Sequence, residues 1–318
     1  MTSTPRLAYI LATDTFATLR PVVARLLSQR DPSRIEVIVV ANRGGLTGLD
    51  APELRAFGRV QGIEVESTVQ MYAARAAGIR AATAPIVFIG ETHSFPCEGW
   101  LDALLEALDG PFPILLPSIT NACPKSLIGW ATYLLDYSRL RPELPRGEVG
   151  SGVGHNTTYR TQLLLALGDQ LDLALDHYEE RLLSDLQPQK PRIGFEPGVR
   201  LQHVGVTLLW PALEERLLLG LLTGASRARR WPLHQRLLYF LASPLIALVL
   251  FARELPGART AIAAGQTSIA VLPVMLLLCV LKAIGEAWGY LLGCPAWTRA
   301  REAELEIQRL RYARGFTL

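Results

Sequence analysis

The stretch Pro85 to Trp100, P-I-V-F-I-G-E-T-H-S-F-P-C-E-G-W, constrains this chain more than any other. Ile86-Val87-Phe88-Ile89 is a run of β-branched and aromatic residues held between Pro85 and Gly90, with the length and composition of a fully buried strand. The run stops abruptly on Glu91, Thr92 and His93, at the carboxyl end of the strand, where open α/β sheets place their ligands. Side chains alternate along a strand, so Glu91 and His93 are expected to point the same way and to serve one ligand or one cation. A carboxylate and an imidazole together suit a divalent ion such as Mn²⁺. A solvated loop end is the other use of such a tripeptide. Gly99-Trp100 then opens a helical pattern running to Leu108.

The flanking sequence repeats the strand-and-helix alternation. Leu7 to Ala12 reads as a short strand ending at Thr13-Asp14-Thr15, and Leu19, Val22, Val23, Leu26 and Leu27 mark one helical face, with Pro21 expected in its first turn. Ile35 to Val40 is a second buried strand, ending at Ala41 to Gly45. Strand, helix and strand at this spacing form a right-handed βαβ unit and a parallel sheet. A third strand is expected over Gly62 to Glu66, a helix from Val69 to Ala82, a strand over Ile114 to Ser118 and an amphipathic helix over Gly129 to Tyr137. Between Gly150 and Arg160, three glycines within five residues give a backbone that a ligand can approach closely. They lead into His155, Asn156, Thr157 and Thr158 before a Leu-rich helix.

These motifs, in this order, resemble the family 2 glycosyltransferases of the GT-A fold over roughly Leu7 to His203. The resemblance implies an α/β fold with a mixed, mainly parallel sheet flanked by helices, and transfer of a sugar from a nucleotide-diphosphate donor. In that family the strand end carries Asp-x-Asp, which holds the donor's ribose and a divalent metal. Here Glu91 and His93 stand at those places. Asn42 occupies the position of an Asp beside the base, Gln29 matches a Gln that follows the first helix, and the Ala73 to Arg80 stretch brings Arg75 toward a phosphate. Gly154, Asn156, Tyr159 and Arg160 match a G-x-N-x-x-(Phe/Tyr)-R segment, and Arg192 to His203 matches a closing segment whose His lies near the metal. The resemblance thus assigns the donor to Thr13, Asp14, Asn42, Arg75, Glu91, Asn156 and Arg160, and Mn²⁺ or Mg²⁺ to Glu91, His93 and His203. The catalytic base falls on Glu179 or Glu180. Two adjacent glutamates also suit a solvated helix face, and the choice between them stays open.

Half of the 318 residues are hydrophobic and 19% are charged. With a mean hydropathy of +0.23, the composition points to a membrane part. The net charge is only +3, with basic residues spread along the chain, which excludes a nucleic-acid footprint. Cys97, Cys123, Cys279 and Cys294 show no Cys-x-x-Cys spacing and read as free thiols. Leu208 to Thr223 suggests an interfacial helix. Leu237 to Ala252 is an uncharged run of 16 residues, and Ser268 to Gly293 is long enough to span a bilayer, with Lys282 and Glu286 one turn apart and placed to pair. Arg227, Arg229, Arg230 and Arg236 precede the first run and five arginines follow the second, against Arg253 and Arg259 between them. The expectation is a two-span anchor in the cytoplasmic membrane, either a hairpin or with a re-entrant first segment, and with the catalytic part on the cytoplasmic side.

The expected organisation is a GT-A-like domain over residues 1–206, an interfacial linker over 207–236, a membrane hairpin over 237–293 and an amphipathic tail over 294–318. Anchoring favours a lipid-linked or cell-envelope acceptor. The competing reading is a non-catalytic GT-A-like subunit, nucleotide-sugar-binding or structural, of an envelope complex.

Overall fold

The computed structural model describes residues 4–150, 152, 154–176, 178, 182–186 and 191–317. The chain forms two units: one of the residues up to Thr120 with Leu140–His203, the other of Asn121–Arg139 with Val204 onward.

The first unit is built on one mixed sheet. Strands β1 (Leu7–Thr13), β2 (Ile35–Asn42), β3 (Arg59–Val65) and β4 (Ile86–Ile89) run parallel in the order β3-β2-β1-β4. β1 and β4 are buried along their whole length. Their unbroken apolar sequences follow from that, since a strand covered on both faces has no side to leave polar. Helix α1 (Phe16–Leu27) packs on β1, and α2 (Met71–Ala81) packs on β1, β2 and β3. Close approach by α2 depends on Gly78, where a Cβ would lie 2.6 Å from Ile10 Cγ2. Past β4 the pairing turns antiparallel: β8 (Thr157–Arg160) joins β4 to β6 (Ile114–Asn121), and β9 (Ile193–His203) pairs with both β5 (Ser94–Pro96) and β7 (Gly147–Val149). Helix α3 (Trp100–Ala107) lies on β9, and the short helices α5 (Thr161–Leu165), α6 (Leu171–Ala174) and α7 (Leu182–Leu186) follow β8.

Local chemistry explains the boundaries. The Asp14 carboxylate accepts from Thr15 N–H at 2.6 Å and from the Thr18 hydroxyl at 2.8 Å, so α1 starts at Phe16 and Pro21 falls in its second turn, not its first. The Ala17 carbonyl consequently lacks its helical donor. Buried Gln29 ties the end of this helix to the start of α3, donating to Cys97 O and accepting from Leu101 N–H, both at 3.1 Å. Tyr9, Phe88 and Trp100 form an aromatic core with ring centroids 4.8 to 5.7 Å apart, close to the site described below.

The second unit is helical: α4 (Leu127–Tyr137), α8 (Leu209–Ala228), α9 (Leu233–Leu241), α10 (Ser243–Ala263), α11 (Val271–Leu292) and α12 (Ala296–Ile307). α8 and α11 run side by side through two Gly-x-x-x-Gly pairs. A Cβ on Gly220 or Gly224 would fall on the carbonyl oxygen of Lys282 or Glu286, and one on Gly285 or Gly289 on that of Leu217 or Leu221. The contacts advance together along both helices, so the two are parallel. Glu286 is buried and takes Arg227 at 3.2 Å and the Tyr290 hydroxyl at 2.9 Å, in place of the expected Lys282. The polar break in α8 also faces inward: Arg216 makes a two-pronged pair with Asp136 at 2.7 and 2.6 Å, and Glu215 pairs with Arg309. The first apolar run is divided between α9 and α10, which meet at 65°. Among the described residues, α11 alone is a single helix long and apolar enough to cross a membrane.

Candidate functional site

Three separate segments meet where β4 ends. The strand stops at Ile89, and residues 90–93 turn into β5, which pairs with β9 in a register that sets Ser94 opposite His203. From the other side, the β4–β8 register sets Ile89 opposite Thr157, and Asn156 N–H donates to Ile89 O at 2.6 Å. Glu91, His93 and His203 are 4%, 1% and 7% exposed, and one ligand atom from each lies within 4.8 Å of the others. Glu91 and His93 thus share a site as their spacing suggests. The cause is the turn, not strand alternation.

Glu91 is the centre of this arrangement. Its Oε2 accepts from Asn156 Nδ2 at 2.6 Å and from Ser94 Oγ at 2.8 Å, and lies 3.6 Å from His93 Nε2 and 3.7 Å from His203 Nε2. Its Oε1 lies 3.3 Å from His155 Nε2. The two site imidazoles stand edge to face, 4.8 Å apart, and Thr92 Oγ1 is 3.2 Å from His93 Nδ1, which leaves that ring's Nε2 facing the carboxylate. Asn156 is in the left-handed region, with φ of 50°, a conformation Asn tolerates better than most residues. Its Nδ2 must face the carboxylate, so its Oδ1 points elsewhere, buried and with no hydrogen-bond partner among the described residues. Gly90 is required because the Tyr9 ring occupies the space a side chain would need. Burial, with the charge of Glu91 second, pushes the Tyr9 phenol up, so it stays a neutral O–H.

The other expected donor residues are spread along the sheet. Thr13 and Asn42 end β1 and β2, on the same carboxyl edge as Glu91, and Asp14 follows Thr13. Asn42 Oδ1 accepts Thr68 N–H at 2.7 Å, so this oxygen ties down the loop before α2. Arg75 is buried on α2, where its charge is felt by the Tyr159 phenol. Arg160 stands apart from the Glu91 group. It pairs with Ile86 at the far end of β4 and donates to Leu108 O, because β8 runs antiparallel and carries it away from the site. Glu179 and Glu180 lie outside the described residues. Sequence reasoning passed over Ser94 and His155. Ser94 sits three residues after Glu91, and His155 directly precedes Asn156, but only the closing of β5 and β8 onto β4 brings them to one carboxylate.

The sequence model of Glycosyl transferase family 2 matches residues 10–168, half of the chain. The chain belongs to that family. It is accordingly a glycosyltransferase of the nucleotide-sugar-using class, and the match covers Glu91, His93 and Asn156, while His203 lies beyond it. No curated protein matches the sequence of this family 2 glycosyltransferase. Its fold is similar to that of TarS 1-349 from S. aureus in complex with UDP, at 14% identity over 96% of this chain and 91% of that one, with a TM-score of 0.46. The mannosyltransferase PcManGT from Pyrobaculum calidifontis, in complex with GDP-Man and Mn²⁺, gives 16%, 90%, 88% and 0.48. GalNAc-T7 with UDP, GalNAc and Mn²⁺ gives 12% identity and 0.45 over 63% of this chain, which spans 43% of that protein's length.

The donor set fits a divalent cation. One carboxylate and two imidazoles, gathered in a buried pocket, present the ligand types that transition metals take, with Ser94 and Asn156 orienting the carboxylate as outer hydrogen-bonding partners do.

Proposed function

We propose that this glycosyltransferase moves a sugar from a nucleotide-diphosphate donor to a hydroxyl of a lipid-linked or cell-envelope acceptor at the cytoplasmic face of a membrane, with inversion. The observation that carries the reading is the buried Glu91, His93 and His203 group at the carboxyl end of β4, within and just beyond the family match. These three residues would hold the divalent ion. Two imidazoles favour Mn²⁺ over Mg²⁺, which prefers oxygen ligands and keeps much of its water. When bound, such an ion supplies positive charge for the departing diphosphate.

The chain's own residues do the rest. Ser94 and Asn156 fix Glu91 through Oε2, and Thr92 fixes the His93 ring. Asn156 Oδ1 accepts a hydroxyl of the donor, and Thr13, Asp14 and Asn42 border the nucleoside along the carboxyl edge of the sheet. Glu179 or Glu180 takes the proton of the acceptor hydroxyl as its oxygen bonds to the anomeric carbon and the bond from that carbon to the diphosphate breaks. The nucleoside diphosphate then leaves with the electron pair. Support for the membrane comes from α11, whose 22 residues extend about 33 Å at 1.5 Å per residue. The arginines before α9 and after α11 favour the cytoplasmic side.

The test is transfer from UDP- and GDP-sugars to membrane lipid extract, with Glu179→Gln and Glu180→Gln beside the parent. One of the two substitutions is expected to lower kcat by about 10²- to 10⁴-fold while donor binding stays intact. Parent-level turnover by both variants would remove the base from this pair.

A further inference from the structure

Asn42 closes β2 at the carboxyl edge of the sheet, two strands away from the Glu91 group. The parallel strands lie in the order β3-β2-β1-β4, so at about 4.8 Å between neighbours the end of β2 stands about 10 Å from the end of β4, where Glu91, His93 and His203 gather. Parallel α/β sheets bind nucleotides across these carboxyl ends. A ribose separates the base of a nucleotide from its diphosphate. With the diphosphate at the end of β4, the ribose therefore falls over the end of β1 and the base over the end of β2, where Asn42 is half-buried.

The surroundings of Asn42 fix the direction of its amide. Asn42 O accepts from Gly45 N–H and Gly45 O accepts from Phe16 N–H, both at 2.8 Å, which pins the turn after β2 against the start of α1. In the side chain, Oδ1 accepts from the N–H of buried Thr68 at 2.7 Å. A backbone N–H bonds only to the oxygen of an amide, so Nδ2 is turned away from Thr68. Among the described residues Nδ2 has no acceptor, and it is not sealed from solvent. For tying down the loop before α2, a carboxylate would serve at least as well, since a charged acceptor makes the stronger bond. What the amide adds is a donor.

We propose that Asn42 selects the base of the donor nucleotide: its Nδ2 donates to a carbonyl oxygen on the base edge remote from the ribose, so the donor carries a keto base. Uracil presents O4 there and guanine O6, both acceptors, whereas cytosine and adenine present N–H2 groups. An amino base sets one donor against another and leaves both without an acceptor, which a half-buried site penalises. The inference rests on the donor-site reading above and adds to it which bases the site accepts.

The experiment is calorimetric titration of the full chain in the presence of Mn²⁺ with UDP, CDP, GDP and ADP, for the parent and for Asn42→Asp. The substitution keeps the size of the side chain and an acceptor for Thr68 N–H, and it exchanges only the outward donor for an acceptor. In the parent, the keto member of at least one pair, UDP over CDP or GDP over ADP, should bind about 10-fold or more tighter. In Asn42→Asp that preference should be lost or reversed, because a carboxylate accepts from the N–H2 group of the amino base and repels the carbonyl of the keto base. A thermal midpoint close to the parent's shows that the loop tie is kept. Binding of none of the four nucleotides overturns the donor-site reading itself. Equal binding within both pairs, tighter binding of the amino base by the parent, or a keto preference that Asn42→Asp retains overturns the selection by Asn42.

Discussion

Both oxygens of Glu91 face side chains of its own turn and of two other segments: Ser94, Asn156, His93 and His203 around Oε2, and His155 beside Oε1. A ligating carboxylate held this way keeps its direction, and loss of such a partner lowers metal affinity by about 10- to 100-fold. Asn156→Ala should show that loss in a calorimetric Mn²⁺ titration, and Asn156→Asp, which sets a second carboxylate at hydrogen-bond distance from Glu91, should change it further by adding charge. Parent-like affinity in both would contradict the role given to this amide. Protons compete with the metal for imidazole, so the same affinity should fall on acidification. Away from the site, burial pushes the Cys123 thiol up to about 11. The folded state therefore resists its ionisation: the stabilisation is complete below the ordinary thiol value and is lost as pH rises from there through about 11. Denaturant unfolding at alkaline pH should cost the parent about 2 kcal/mol more than Cys123→Ala over that window, and identical pH profiles would contradict the assignment. At this scale the sequence revealed Glu91, His93 and His203, because each ends a strand-like run. His155 and Ser94 were hidden because nothing in their own neighbourhood links them to a carboxylate.

Secondary structure was legible wherever burial was uniform. β4 occupies the four apolar residues that announce it, and β1 and β2 differ from expectation by one or two residues at their ends. Side-chain networks moved other boundaries: Asp14 and Thr18 start α1 early enough to leave Pro21 inside it. The pairing of Gly220 and Gly224 with Gly285 and Gly289 is the least visible feature, since glycines spaced by four are unremarkable until two helices are known to touch. In an exposed helix, Gly→Ala stabilises by about 0.5 to 1 kcal/mol. Here the added methyl would meet a carbonyl oxygen of the facing helix, and overpacking costs about 1 to 3 kcal/mol. Gly224→Ala and Gly289→Ala should each lower the thermal midpoint, and a raised midpoint would contradict the close packing of α8 on α11.

The whole molecule combines a nucleotide-sugar transferase fold with a helical unit whose exposed face is apolar. Residues 121–139, which precede β8 in the chain, pack with the carboxyl-terminal helices. Sequence order alone does not show such an exchange. The hydropathy of the last third was legible, whereas its arrangement depends on the ion pairs of buried Glu215, Arg216 and Glu286, which no local pattern reveals. The central claim is that Glu91, His93 and His203 form a metal-dependent donor site. The most direct measurement is calorimetric titration of the full chain with UDP- and GDP-sugars, with and without Mn²⁺, for the parent, His93→Ala and His203→Ala. The account predicts that one donor class binds the parent only when Mn²⁺ is present and that either substitution weakens this binding. Donor affinity indifferent to both Mn²⁺ and the two histidines would contradict it.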